Sequence, residues 1–312
     1  MKHIFILLAL LIVLAPVALF AQSYYDDYDD DDYYYDEGPV YPENSFFYDT
    51  NSLLGGYTVG RIDTLIAMGA NPNEQDGDGE YVIAYALRFG WPTEAVEHLI
   101  KVGADLKVRD ISGANMLMLA ASGSSKAVFE RLLGMDFDIA ARSDYGLNIW
   151  DYAVCNRMSD ILKILMKKYP KYDINSRNPS GNTLLMTYLT TLAVTDTTTF
   201  NILLAAKADP NIADSTGLTP LMAACMYENL NQIKKLVAAG AVLNATDNQG
   251  MTALMYAAEF TFIGESVEYL IDKGADATLT DNEELDAYDY LMMNEYNAND
   301  ELADWLEGKC RN

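Results

Sequence analysis

Apolar positions recur along this chain in two registers, the first returning every 33–36 residues and the second every 33–38. In the first, a large apolar side chain and an alanine stand three apart: Ile83 and Ala86, Leu117 and Ala120, Trp150 and Ala153, Leu221 and Ala224, Leu254 and Ala257. Tyr188 takes the alanine place after Leu185. Three apart is one face of a helix, and the small residue lets a neighbouring helix come close. The second register carries the pairs Leu65-Ile66, Leu99-Ile100, Leu132-Leu133, Leu165-Met166, Leu203-Leu204, Leu236-Val237 and Leu270-Ile271. In four copies a stop follows, at Gly69-Ala70, Gly103-Ala104, Gly240-Ala241 and Gly274-Ala275, where glycine suits a left-handed helix end. The pattern predicts two short helices per period.

Between one copy and the next lies a turn signal. Gly79, Gly113, Gly146, Gly181, Gly217 and Gly250 follow closely on Asp76, Asp110, Asp144, Asn178, Asp214 and Asp247, and Asp281 precedes a last copy without the glycine. Asp or Asn ahead of glycine fits a tight turn. Two residues past the glycine come Asn115, Asn148, Thr183, Thr219 and Thr252, all good helix N-caps, and Pro220 fills a first-turn place that tolerates proline. One such hairpin cannot bury its own apolar face, but a stack can. The expected fold is an all-α solenoid of about seven helix-turn-helix units.

The stretch Asp214-Ser215-Thr216-Gly217-Leu218-Thr219-Pro220-Leu221-Met222-Ala223-Ala224-Cys225, with Gly240-Ala241 behind it, resembles the ankyrin repeat. So does Asp247–Ala258 with Gly274-Ala275-Asp276 further on. The resemblance covers residues 44–310, with units at about 44–76, 77–110, 111–144, 145–178, 179–214, 215–247 and 248–281 and a degenerate cap at 282–310. It implies a protein partner gripped by a concave surface of turn tips and first helices. Tip residues that differ between copies, Ser112, Tyr145, Thr216, Asn248 and Gln249, are then candidate contacts. Aromatics just beyond first helices, Phe89, Trp91, Tyr227, Phe260 and Phe262, are candidate anchors, since binding energy concentrates in such residues. Packing between units is the other role open to them. The family usually has histidine after the leucine, where this chain has Met118, Met186, Met222 and Met255. Ties between units should therefore lean on apolar contact. Thr190–Thr199 lengthens one copy and reads as a longer loop between its helices.

Ahead of the repeats, Lys2 and an uncharged apolar run, Ile4–Ala21, have the layout of a signal peptide over residues 1–21, cleaved after Ala21. Leu19 is bulky for such a site, so an uncleaved membrane anchor stays open. Residues 22–43 form an expected disordered linker, because Tyr24–Glu37 holds eight acids and six tyrosines and nothing else. It reads as a solvated tether, with a sticky arm for a basic partner or divalent cations as the alternative.

Charge narrows the choice of partner. Acids outnumber bases 46 to 21, for a net charge of −25, which argues against nucleic acid and for a basic protein surface. With two histidines, three cysteines and no hydrolase, nucleotide-binding or zinc motif, the sequence offers no catalytic residue, cofactor or metal site. His98 reads as solvent-facing, Cys155 and Cys225 as too far apart to bond, and Cys310 as a thiol near the C-terminus. The expected protein is a monomeric, non-enzymatic interaction scaffold, exported to the periplasm, cell envelope or secreted space, with no membrane span once the leader is removed. Two alternatives stand beside it. One is an anchored envelope spacer. The other is an enzyme whose site escapes motif reading, with Tyr152, Lys163 and Tyr188 as the reactive types.

Overall fold

The computed structural model describes residues 41–191, 197–294 and 300–311, and the expected leader and the acidic tract lie outside them. The described residues hold sixteen helices and no strand beyond isolated bridges. They divide into two compact units, one ending at Tyr172 and the other beginning at Asp173. The first contains α1 (Thr50–Gly55), α2 (Val59–Ala67), α3 (Val82–Arg88), α4 (Thr93–Lys101), α5 (Met116–Gly123), α6 (Lys126–Leu133), α7 (Ile149–Cys155) and α8 (Ser159–Lys168). The second contains α9 (Leu184–Thr190), α10 (Thr197–Ala205), α11 (Pro220–Met226), α12 (Leu230–Ala238), α13 (Ala253–Phe260), α14 (Glu265–Asp272), α15 (Ala287–Met293) and α16 (Asp300–Cys310).

Within the first unit α3, α5 and α7 pack side by side, and α2, α4, α6 and α8 form a second row behind them. The other unit repeats the plan with α9, α11, α13 and α15 in the first row and α12 against α14 in the second. First-row helices lie between neighbours on both sides and their own partner helix. They are therefore buried almost all round, as Met116–Ser122 shows. Second-row helices bury one stripe, for example Ile233 and Leu236 on α12. Each leucine so buried is worth about 1.5–3 kcal/mol.

The helix starts follow the caps. Asn115, Thr183, Thr219 and Thr252 accept from the backbone N–H three residues on. Asn148 and Asp286 do the same, and Asp151 and Asp289 return a bond to the cap N–H. The sulfurs of Met222 and Met255 fill that return place, accepting from Thr219 N and Thr252 N at 3.3 Å. At Met222 and Met255 the histidine-to-methionine exchange thus keeps a polar contact.

Three other sequence readings change. In the 145–178 copy the turn residue is Ser143, whose backbone N–H and hydroxyl close the turn onto Leu147, whereas Asp144 N donates to Ser112 O of the previous turn. Thr197–Thr199, expected in a loop, open α10, with Thr199 fully buried; residues 192–196 of that stretch lie outside the described residues. Tyr41, placed in the linker, packs its ring on Phe47 and accepts from Gly77 N at 2.5 Å.

Candidate interaction surface

Every hairpin turn is built by one side chain. Asp214 Oδ1 accepts from the N–H groups of Thr216 and Leu218, and Asp247 and Asp281 repeat the pattern. In the last copy Glu284 sits at φ 64, the left-handed place that glycine fills elsewhere. Tips of neighbouring turns then join by backbone bonds, Asn248 N to Thr216 O and Asn282 N to Gln249 O.

A second seam runs along the loops after the second-row helices. Asn211 Oδ1 accepts from Val242 N at 2.8 Å while its Nδ2 donates to Gly240 O at 3.0 Å. Asn73 and Asn175 bridge to the next copy in the same way, and Asn244 accepts from Asp276 N. The expected apolar ties between copies are thus joined by an amide ladder. The asparagines recur in sequence, but their partners stand about 30 residues on, so only the stack reveals the bond.

The candidate contact residues separate into two groups. Trp91 is buried and is removed from the surface: its indole N–H donates to Leu53 O and its ring meets Tyr57 edge-on. Phe89 is half-buried and stacked on Tyr85, and Phe260 is half-buried at the end of α13. Ser112 is half-buried, its hydroxyl on Asp110 and near Tyr152. Thr216 and Asn248 are exposed but already bonded, to Asp214 and Ser215 respectively. Gln249 and Tyr145 are exposed at their tips.

Tyr227 and Phe262 remain on the surface in the second unit, Phe262 at 62% exposure. Sequence reading missed their companions Ile263, Met292 and Met293, each more than half exposed. Tyr227 follows α11, Phe262 and Ile263 follow α13, and Met292-Met293 close α15, so the same end of three successive first-row helices carries apolar side chains. The Glu228 carboxylate shapes this edge by accepting from Thr261 Oγ1 at 2.6 Å and from Phe262 N at 3.0 Å.

The groups with reactive chemistry are engaged elsewhere. His98, expected in solvent, is largely covered and bonds Asp63 of the preceding copy at 2.7 Å. Burial pushes the Tyr152 hydroxyl up to about 12. Lys163 bonds Asp160, and Tyr188 is buried against Phe200. Burial also raises the Cys225 thiol far above its usual range and lifts Cys310 to about 11. Among the described residues no cluster of His, Cys, Asp or Glu is placed to hold a metal, and no helix is long and apolar enough to cross a membrane.

Stacked hairpins with these turns define a class, and the family model for ankyrin repeats (3 copies) matches residues 57–143, 85–178 and 188–281. The chain belongs to the ankyrin repeat family. Among individual proteins it is similar to an ankyrin repeat protein of Acanthamoeba polyphaga mimivirus, with 27% identity over 183 residues. That alignment covers 56% of this chain but 23% of the viral protein, so this chain matches about a quarter of its relative.

Proposed function

We propose that this protein is a non-enzymatic interaction scaffold that holds a protein partner on its repeat face. The observation that carries the reading is the row of exposed apolar side chains Tyr227, Phe262, Ile263, Met292 and Met293 at equivalent helix ends. Solvent-facing apolar groups in such a row favour a partner that covers them. Carboxylates Glu228, Glu259 and Glu265 flank the row along the chain, and with the net charge of −25 they suit a partner whose contact surface is apolar at its centre and basic at its rim. Membership of a repeat family and the engaged state of Tyr152, Lys163 and Tyr188 support a binding role over catalysis. The leader at residues 1–21 supports export to the periplasm, cell envelope or secreted space, where the chain acts as a monomer.

The test is a comparison of two baits, wild type and Phe262→Ser/Ile263→Ser, exposed to extract of the native compartment, followed by titration of each captured protein in pure form. The expected result is a partner that the variant binds more weakly by about 2 kcal/mol. Its association should also slow when salt rises from about 0.05 to 0.5 M. Partners that bind both baits equally, with kinetics indifferent to salt, overturn the reading.

A further inference from the structure

The end of α8 departs from every other copy. Six residues separate the leading leucine of each second-row apolar pair from the next loop elsewhere, as in Leu99 to Asp105, Leu132 to Asp138 and Leu236 to Val242. Here Leu165 to Asp173 is eight, and the two added residues fall within Tyr169-Pro170-Lys171-Tyr172. Pro170 cannot continue the helix. The chain folds back and lays Tyr172 on Trp150, with ring centroids 3.9 Å apart and planes 13° from parallel. The fold-back leaves a groove of about 530 Å³ lined by Trp150, Tyr169 and Tyr172 and by Arg142, Lys168 and Lys171. That volume is within the range of small binding sites and holds one or two side chains of an extended segment.

Its charge is the reverse of the chain's. Three cations and no carboxylate line it, although acids outnumber bases by more than two to one overall. Arg142 and Lys168 are held in place by bonds to Gly146 O and Leu133 O, and each keeps further N–H donors. An aromatic wall with fixed cations at its rim fits a ring that has carboxylates next to it.

One stretch of the sequence supplies that chemistry at the highest density. Tyr24–Glu37 consists of eight acids and six tyrosines. Four residues past it stands Tyr41, whose hydroxyl accepts from Gly77 N in the hairpin that opens the 77–110 copy. From that hairpin the groove lies two copies along, about 20 Å at the spacing of packed helices. The thirteen residues from Tyr28 to Tyr41 span up to about 45 Å when extended. A tether of that length keeps the tract at an effective concentration on the order of millimolar, above that of a free acidic peptide.

We infer that the groove is occupied by the chain's own Tyr24–Glu37 tract in the same molecule, a tyrosine ring against Tyr169 and Tyr172 and adjacent aspartates on Arg142 and Lys171. The site belongs to the unit ending at Tyr172, and the Phe262 row to the other, so the two proposals stand or fall separately.

The experiment is zero-length carbodiimide cross-linking of the purified full chain at low salt, with the monomer fraction mapped by mass spectrometry. Amide links from Lys171 and Lys168 to the Asp26–Asp32 stretch are expected, in excess over links from Lys126, which is also exposed, at the start of α6. They should fall to the Lys126 level in Arg142→Glu. They should fall equally in a variant with all six tract tyrosines changed to serine, which keeps every carboxylate; unchanged circular dichroism shows that both still fold. Links spread evenly over the lysines, or undiminished in the serine variant, overturn the inference. So do links found only between isotopically distinct copies.

Discussion

Arg88 reaches to Asp110, which builds the turn into the next copy, Nη2 to Oδ2 at 2.7 Å, and the same nitrogen donates to Glu80 at 2.8 Å. Both carboxylates are 1% exposed. Burial pushes the Glu80 carboxyl above the usual range, against the pull of Arg88. Removing the guanidinium leaves two buried acids facing each other. Arg88→Leu should therefore cost about 3 kcal/mol in urea unfolding, and Arg88→Leu/Glu80→Gln distinctly less. Equal losses would mean that packing of the arginine stem, rather than its charge, joins these hairpins.

The amide ladder makes a smaller and more local prediction. Asn211→Ala removes an acceptor from Val242 N and a donor from Gly240 O at an exposed seam. The expected loss is about 1 kcal/mol, with faster hydrogen exchange at the Val242 amide while Leu236 in α12 keeps its protection.

Two glycines of similar appearance in sequence should respond in opposite directions. A Cβ on Gly123 would lie 1.9 Å from Arg88 O, because α3 and α5 bring their ends together at that point. Gly60, in the first turn of α2, has open space around it. Gly123→Ala should lower stability by about 1–3 kcal/mol through the forced shift. Gly60→Ala should raise it by about 0.5 kcal/mol through helix propensity. Thermal midpoints of the two variants decide this.

Alkaline pH should unfasten the first unit. Tyr57 donates to Phe46 O at 2.7 Å, and burial together with Asp49 pushes its hydroxyl from 10.0 up to about 12. Because the folded value is the higher one, the stabilisation is whole below pH 10.0 and is lost as pH rises through about 12. Tyr57→Phe should cost about 1 kcal/mol at pH ~8 and then lose less than wild type across that window. Urea midpoints measured from pH ~8 to ~12 check both halves.

What could be read from the sequence followed from spacing. Leu117 with Ala120 or Leu254 with Ala257 fixes a helix face, and Asn115 or Thr252 fixes where the helix begins, since these signals act within a few residues. Errors arose where two residues could serve one turn, as with Ser143 and Asp144, because a serine hydroxyl performs the aspartate's task more weakly. The contact surface was only half legible. Trp91 and Phe262 both follow a first-row helix, yet one fills the gap beside Tyr57 and the other points outward. That difference depends on neighbours a whole copy away. Nor could the extra Tyr169–Tyr172 length disclose that its last ring would return to Trp150.

Glu228 stands at φ 49, and its carboxylate receives Thr261 Oγ1 and the backbone N–H groups of Phe262 and Ile263. Loop tips that display bulky greasy groups ordinarily sample many shapes, and a visiting molecule must arrest them on arrival. Here the backbone of the tip is already held by Glu228. Docking at this corner therefore begins with its entropy loss already behind it, and complexes formed there should dissociate slowly for their size.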